Sequence, residues 1–285
     1  SVNYCIEQLG KKRDKPFFLA CGLVKPHLPW AVPQKYYDMF PRDTIKLPPH
    51  LENDFSDIPK FAHGVGTSGD HPKFLQSGRW KDAIQSYLAT IAFVDVCIGR
   101  LLDALEKSPH KDNTVIVLWG DHGWHLGEKQ RWRKFTLWEE ATRAPLIWYA
   151  PGVTKADTIC SRPVDFLSIY PTLCELAGID TPSHVEGQSI VPLLKDPQAK
   201  WDGVAITTNG FMNHSVRNEN WRYTRYRDGS EELYDHRKDP YEWKNLAEKE
   251  GFASVKKRLA ARMPKKNAPK TPTKKPTKNK KPKKG

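Results

Sequence analysis

Hydrophobic residues recur along the first 200 positions of this chain in alternating helix and strand patterns. Between Asp82 and Glu106 the apolar positions are spaced three and four apart, which predicts an amphipathic helix. A continuous apolar run from Thr114 to Trp119 is typical of a strand buried on both faces of a parallel sheet. Similar patterns predict helices at 2–12 and 164–177 and strands at 16–21 and 145–149. Together they predict an α/β unit over residues 1–200, with a mostly parallel sheet flanked by helices.

The pattern changes after residue 200. Apolar positions predict short strands at 203–208, 221–227 and 231–235, and Asp228-Gly229 between the last two is a strong hairpin-turn signal. A closing helix is predicted at 253–262. Residues 201–262 are therefore expected to form a small subdomain around an antiparallel sheet. Residues 263–285 are rich in lysine and proline and have too little apolar surface to fold, so they are predicted to form a disordered tail.

The formal net charge of +13 is concentrated in that tail. Ten lysines and no acidic residue lie between Pro264 and Gly285, which leaves a net charge of +3 for the rest of the chain. Such a tail can bind polyanions without specificity by releasing counterions, or it can be solvated with no defined partner. The distribution gives no indication of specific nucleic-acid binding.

Other features of the composition narrow the class further. The five cysteines show no C-x-x-C spacing, which argues against a zinc ribbon or a thioredoxin-type motif. No apolar run approaches the roughly 20 residues that a membrane-spanning helix needs. We therefore expect no transmembrane segment.

The strongest candidate for chemistry follows the apolar run at 114–119. Gly120 ends the run and places Asp121 and His122 at the carboxyl end of the strand, where open α/β sheets hold their ligands. A carboxylate and an imidazole can share one divalent cation, and Lys134 downstream suits an anionic substrate. The alternative is that the Asp-His pair lies in a turn and that Lys134 is a solvated loop residue. His27 lies in a proline-flanked loop after residues 16–21. For this residue the alternative is a histidine that only caps backbone groups.

Five stretches, in order along the chain, resemble the type I, formylglycine-dependent sulfatases, in particular iduronate-2-sulfatase-like and choline-sulfatase-like members. They are Lys25-Pro-His-Leu-Pro29; 85–89 with 99–102; Asp121-His-Gly-Trp-His-Leu-Gly-Glu128 with Trp132-Arg-Lys134; 170–173 with 176–178; and 232–235 with 239–240 and 245–246. Taken together they span most of residues 1–250. The resemblance implies an alkaline-phosphatase-like fold and hydrolysis of a sulfate ester on a sugar or another alcohol.

The resemblance also implies roles for single residues. Asp121 and His122 are similar to two ligands of the family's divalent ion, usually Ca²⁺, with histidine standing where many arylsulfatases have asparagine. Lys134 resembles the lysine that holds the substrate sulfate. His27 resembles the histidine near the leaving-group oxygen, where an imidazole can assist departure of the alcohol. Lys25, His125, Glu128 and Trp132 either shape the pocket or pack behind it.

One family element does not occur in these 285 residues. Sulfatases of this type form their formylglycine nucleophile from the cysteine or serine of a C/S-x-P-S/A-R motif, and no such motif is present. The upstream metal-binding aspartates and the first sulfate-binding Lys and His are also missing. We therefore expect an incomplete chain that is inactive alone, with the nucleophile located upstream.

Two other functions remain open from the sequence. A phosphomonoester or phosphonate-ester hydrolase of the same superfamily could also use an Asp-His metal pair. A non-catalytic protein that binds glycans or polyanions would fit the basic tail and the missing nucleophile. For the sulfatase, the family resemblance implies a periplasmic, secreted or lysosomal location.

Overall fold

The computed structural model describes residues 1–66 and 69–269. In chain order its helices and strands are α1 (Val2–Leu9), α2 (Gln34–Tyr37), α3 (Asp70–Ser77), α4 (Trp80–Glu106), β1 (Ile116–Trp119), β2 (His125–Leu126), β3 (Trp132–Arg133), α5 (Glu139–Thr142), β4 (Leu146–Tyr149), α6 (Ile169–Ala177), α7 (Val191–Lys195), β5 (Ala205–Thr208), β6 (His214–Arg217), β7 (Trp221–Arg225), β8 (Glu231–Asp235) and α8 (Ala253–Ala260). Short 3₁₀ helices lie at Arg42–Thr44, Asp54–Asp57, Ala62–Gly64, Lys111–Asn113, Glu128–Gln130 and Phe166–Ser168.

Helix α4 is the longest element, as its apolar periodicity predicts. It contacts α1, α2 and α3. Near its start, Trp80 and Ile84 pack in a buried cluster with Trp132 and Ile45. No helix among the described residues is long and apolar enough to cross a membrane.

The strand that leads to the Asp-His pair differs from the sequence expectation. Strand β1 pairs with β4 in an antiparallel two-stranded sheet, with Trp119 opposite Leu146. Side chains on both strands are exposed to solvent: Trp119 on β1 is 47% exposed and Ile147 on β4 is 60% exposed. The prediction that this strand is buried on both faces between parallel neighbours is therefore wrong for the described chain. An apolar run specifies a strand, but it does not specify how many partners the strand finds or in which direction they run.

The predicted strand at 16–21 is also absent. Residues 16–24 have no regular secondary structure among the described residues. Phe18 is 80% exposed and Val24 is 78% exposed. Apolar residues alone do not make a strand, because its backbone groups also need a partner edge to pair with.

The C-terminal sheet confirms the predicted antiparallel subdomain. Its order is β5-β6-β7-β8, every pairing is antiparallel, and β7 and β8 are joined through Asp228-Gly229, where Gly229 has a φ of +89°. Strand β6 was not predicted because its residues, His-Ser-Val-Arg, lack an apolar alternation. The core of this sheet contains Tyr223 and Leu233, and α8 covers it through Leu259.

The first residues assigned to the tail lie against this subdomain. Met263 is buried in its core, and Asn267 Oδ1 lies 2.8 Å from His214 Nε2. The predicted disorder of the lysine-rich segment 270–285 falls outside the described residues. The division at residues 200 and 262 remains a prediction.

A buried network of ion pairs joins the C-terminal sheet to the α/β part. Arg222 on β7 is 2% exposed and bonds to both Glu139 at the start of α5 and Glu242. Burial alone would raise the pKa of Glu242, but the charges of Arg222 and His236 outweigh it and lower that pKa to about 2. Lys129 is equally buried, with its Nζ 2.8 Å from Asp54 Oδ1. These charges are stable in the interior because each one has a partner.

We predict that Glu242→Gln lowers the free energy of unfolding by about 3–5 kcal/mol at pH 7, because it leaves Arg222 buried with one of its two partners lost. The pKa of Glu242 lies below its ordinary value of 4.5 when folded. Its contribution is therefore fully present above pH 4.5 and is lost as the pH falls towards 2. Urea unfolding across that range measures both effects.

The exposed pair Glu7–Lys11, whose Nζ and Oε1 atoms are 2.8 Å apart, provides the control. Glu7→Gln should leave unfolding at pH 7 unchanged within error, because the pair is in water. Equal losses in the two variants would contradict a special role for the buried network.

Candidate active site

The Asp-His loop is fixed by backbone hydrogen bonds to α5 and to the segment that follows α5. Gly120 N donates to Pro145 O at 3.1 Å, and Gly123 N donates to Ala141 O at 2.9 Å. A Cβ on Gly123 would lie 1.9 Å from the carbonyl oxygen of Glu140. Only glycine allows this close approach of two backbones. The loop and α5 therefore behave as one unit.

Asp121 and His122 face one another across this loop. His122 Nε2 lies 3.4 Å from Asp121 Oδ2, and the Asp121 side chain is 86% exposed. His122 Nδ1 is 2.7 Å from Gly123 O. Because a carbonyl only accepts, Nδ1 must carry the proton, which leaves Nε2 of the neutral ring as a free acceptor beside the carboxylate. This pairing of a carboxylate oxygen and an imidazole lone pair fits two ligands of a divalent cation.

The His27 ring, like that of His122, is oriented by a backbone carbonyl oxygen. Its Nδ1 is 2.7 Å from Leu28 O, so the ring presents an unprotonated Nε2 in its neutral form. The loop around it is irregular, as the two prolines predict, and Trp30 Nε1 closes it by donating to Pro26 O at 2.9 Å. Lys25 donates to Pro29 O, so it supports the loop backbone.

Lys134 lies between two residues with left-handed backbones. Arg133 has a φ of +68° and Phe135 a φ of +73°, a region that side chains other than glycine rarely adopt. Strain of this kind persists where the surrounding structure enforces it, and it is concentrated at functional sites. Among the described residues, the Lys134 ammonium has no carboxylate partner and lies 6.0 Å from the centre of the Trp124 ring.

Trp124 brings these residues together. Its ring centre lies 5.9 Å from that of His27 and 6.1 Å from that of His122, which it stacks against. With Lys134 at 6.0 Å, three of the four predicted site residues surround one indole. Trp30 and Tyr87 pack on the same ring. Trp124 was not predicted as a site residue from the sequence, although its position two residues after His122 was the available signal.

A cavity of about 500 Å³ opens beside His122 and Trp124. Glu140 of α5 also lines it, and the Oε2 atom of Glu140 has no hydrogen-bond partner among the described residues. Burial, reinforced by the charge of Glu242, raises the pKa of Glu140 to about 8. The carboxyl group is therefore mostly neutral at pH 7 and can donate a hydrogen bond.

Other residues of the motif pack behind the site. His125 is fully buried, bonds through Nε2 to Thr136 Oγ1 at 2.7 Å, and has its pKa lowered to about 3 by burial. Glu128 accepts from Leu126 N at 2.6 Å, and Trp132 is in the core beneath α4. Of the two roles left open by the sequence, the structure favours packing for these three residues.

Glu139, His236 and Glu242 form a second cluster of potential metal ligands. Their ligand atoms lie within 4.8 Å of one another. The Arg222 guanidinium bonds to both carboxylates, however, and His236 Nε2 lies 2.8 Å from Glu242 Oε1. A cation already lies between these carboxylates, so we interpret the cluster as part of the buried ion-pair network.

Two family models match the chain. The one described as Sulfatase matches residues 2–179, and the one described as N-sulphoglucosamine sulphohydrolase, C-terminal, matches residues 120–269. The first covers more than half of the chain. The chain therefore belongs to the sulfatase family, as its motifs predict.

Named relatives agree with this assignment. A protein named Sulfatase from Formosa agariphila is 44% identical over 271 residues, which are 94% of this chain and 53% of the relative. Iduronate 2-sulfatase from Homo sapiens is 31% identical over 223 residues, which are 64% of this chain and 40% of the relative. The chain thus spans about half the length of these relatives.

Solved structures confirm the alkaline-phosphatase-like α/β fold class. The structure of BT4656 in complex with its substrate D-glucosamine-2-N,6-O-disulfate matches with a TM-score of 0.75 and 25% identity, over 91% of this chain and 67% of that one. Phosphonate monoester hydrolase of Agrobacterium radiobacter matches with a TM-score of 0.75 and 23% identity, over 91% of this chain and 58% of that one. The second likeness concerns the fold alone.

We predict that Gly123→Ala lowers the free energy of unfolding by about 2 kcal/mol or more, because the new methyl group forces the Asp-His loop away from α5. Gly99→Ala in α4 is the control, since apart from the neighbouring backbone of α4 itself nothing lies within 4 Å of its added Cβ. That substitution should stabilise the chain by about 0.5–1 kcal/mol. Urea unfolding measures the free energy of unfolding of both variants. An unchanged free energy of unfolding in Gly123→Ala would contradict the close contact between the loop and α5.

Proposed function

We propose that this chain is part of a sulfuric-ester hydrolase in which Asp121, His122, Lys134 and His27 contribute to one active site. The proposal rests above all on the arrangement around Trp124, where His27, His122 and Lys134 meet. Of these three residues, His122 also lines the cavity beside Trp124. Membership of the sulfatase family supports it. Because the chain spans about half the length of its relatives, the activity is proposed for the whole protein.

In this proposal Asp121 and His122 are two ligands of a divalent cation, usually Ca²⁺ in the family. Such an ion would offset negative charge on the sulfate oxygens. The backbone bond from His122 Nδ1 to Gly123 O fixes the ring so that Nε2 faces Asp121. The remaining ligands and the formylglycine nucleophile would come from residues outside this chain, because the C/S-x-P-S/A-R motif is not in it.

Lys134 and His27 would bind the two ends of the sulfate ester. Lys134 offers an ammonium that no carboxylate among the described residues neutralises, so it can hold a sulfate oxygen. His27, when protonated at Nε2, can donate to the ester oxygen and give its proton to the departing alcohol. The Trp124 ring, in contact with both, would fix the distance between them.

We further propose a sulfated sugar as the substrate class. One solved relative was captured with a disulfated glucosamine, and another relative is named N-acetylglucosamine-6-O-sulfatase. A phosphonate ester is the less supported alternative, because its support is a likeness of fold. The periplasmic, secreted or lysosomal location and the non-specific binding of polyanions by the lysine-rich tail remain predictions.

We predict that Lys134→Ala in the active protein lowers kcat/KM for a sulfated glucosamine by about 10²–10³-fold, because it removes a cation that faces the reacting sulfate. Lys155→Ala, which also removes one positive charge from an exposed loop, is the matched control and should change the rate less than about twofold. Steady-state kinetics on the sulfated sugar, an aryl sulfate and an aryl phosphate provides the measurement. A higher kcat/KM for the aryl phosphate than for the sulfate esters would contradict a sulfatase. A kcat/KM for the sulfated sugar that is unchanged in Lys134→Ala would show that this lysine does not belong to the site.

We predict that the effect of His27→Ala depends on the leaving group. A sugar alkoxide needs a proton as it departs, whereas a nitrophenolate does not, so kcat should fall by about 10²-fold or more for the sugar sulfate and less than about tenfold for nitrophenyl sulfate. Exposed His184, replaced by alanine, is the control. Equal losses on both substrates would argue against proton donation by His27.

A further inference from the structure

A second cavity lies between the two parts of the chain and shares no lining residue with the cavity beside His122. Its volume is about 300 Å³, and it opens to solvent. It is lined by residues 162–163 and 201–204, by the turn between β6 and β7 at 218–220, and by 258–262 at and just after the end of α8. The volume is at the lower end of the range for small-molecule sites, which suits one sugar unit.

The cavity carries unpaired positive charge. Arg258 and Arg262 both line it and are exposed, and their side chains have no carboxylate or carbonyl partner within the described ranges 1–66 and 69–269. Arg258 and Arg262 are four positions apart near the end of a helix, so their positive charges repel each other. Arg162, the third guanidinium of the cavity, is paired with Glu219. An anion between Arg258 and Arg262 would attract both guanidinium groups and so offset the repulsion between them.

Two buried donors of the same cavity have no acceptor. In the part of the chain that the structure describes, neither Trp201 Nε1 nor Arg162 Nε has a hydrogen-bond partner. The Trp201 indole is held in place against Gly203, where an added Cβ would lie 2.5 Å from its Nε1. Both nitrogens are shielded from solvent by the surrounding protein, so they lie in the wall of the cavity. The exposed guanidinium groups of Arg258 and Arg262 are therefore the donors that a ligand can reach.

We propose that this cavity is a binding site for a sugar that carries an oxyanion, either a sulfate ester or a carboxylate. Arg258 and Arg262 would hold the oxyanion through paired N–H groups, a geometry that suits guanidinium. Trp201 would pack its apolar ring on the sugar, and Asp202 would accept from a hydroxyl. This inference goes beyond the proposed function and does not depend on it.

The test is titration of the chain with N-acetylglucosamine 6-sulfate and, separately, with glucuronate. All variants also carry Lys134→Ala, so that sulfate binding at the proposed active site does not contribute. Calorimetry measures the affinity for each sugar. In ¹⁵N NMR spectra, the indole resonance that is missing in Trp201→Phe is assigned to Trp201 and reports on the cavity. We expect that resonance to shift on addition of at least one of the two sugars. We expect the double variant Arg258→Ala/Arg262→Ala to bind it at least about tenfold more weakly.

The matched control is Lys249→Ala/Lys257→Ala, which removes two exposed positive charges from the same region without touching the cavity. Its affinity should stay within about twofold of the parent. The proposal is overturned by equal weakening in the two double variants, by an unmoved Trp201 resonance with both sugars, or by equal affinity for inorganic sulfate, which would indicate an adventitious ion only.

Discussion

The buried pairing of Arg222 with Glu139 and Glu242 is the interaction on which the rest of the structure depends. Arg222 belongs to the C-terminal sheet, Glu139 opens α5, and α5 holds the Asp-His loop through the bond from Gly123 N to Ala141 O. A guanidinium in the interior is tolerated only with its carboxylates in place. The position of His122 is therefore coupled to correct docking of a subdomain that contributes none of the predicted site residues.

The same region shows how environment separates chemically identical groups. Glu140 and Glu242 are both removed from water, yet burial raises the pKa of Glu140 to about 8 while the charges of Arg222 and His236 bring that of Glu242 to about 2. The difference is the presence of a cation. At neutral pH the Glu242 carboxylate pairs with Arg222 as an anion, and the Glu140 carboxyl lines the cavity mostly in its neutral form.

The candidate site is organised by an aromatic ring more than by ion pairs. His27, His122 and Lys134 come from separate positions in the chain and converge on Trp124. An indole offers a flat, apolar surface with a negative face, which suits both imidazole rings and an ammonium group. Among the residues that the structure describes, Lys134 therefore lies near the histidines without a carboxylate that neutralises it.

The sequence by itself determined the elements whose signal is local. The long helix α4, the hairpin at Asp228-Gly229 and the family motif from Asp121 to Lys134 are recorded in periodicity, turn chemistry and residue order. Only the tertiary structure decided the antiparallel partner of β1, the open segment at 16–24, the pairing of Arg222 and the central place of Trp124. Each of these depends on residues far apart in the chain, and hydrophobic patterning does not encode which distant groups will meet.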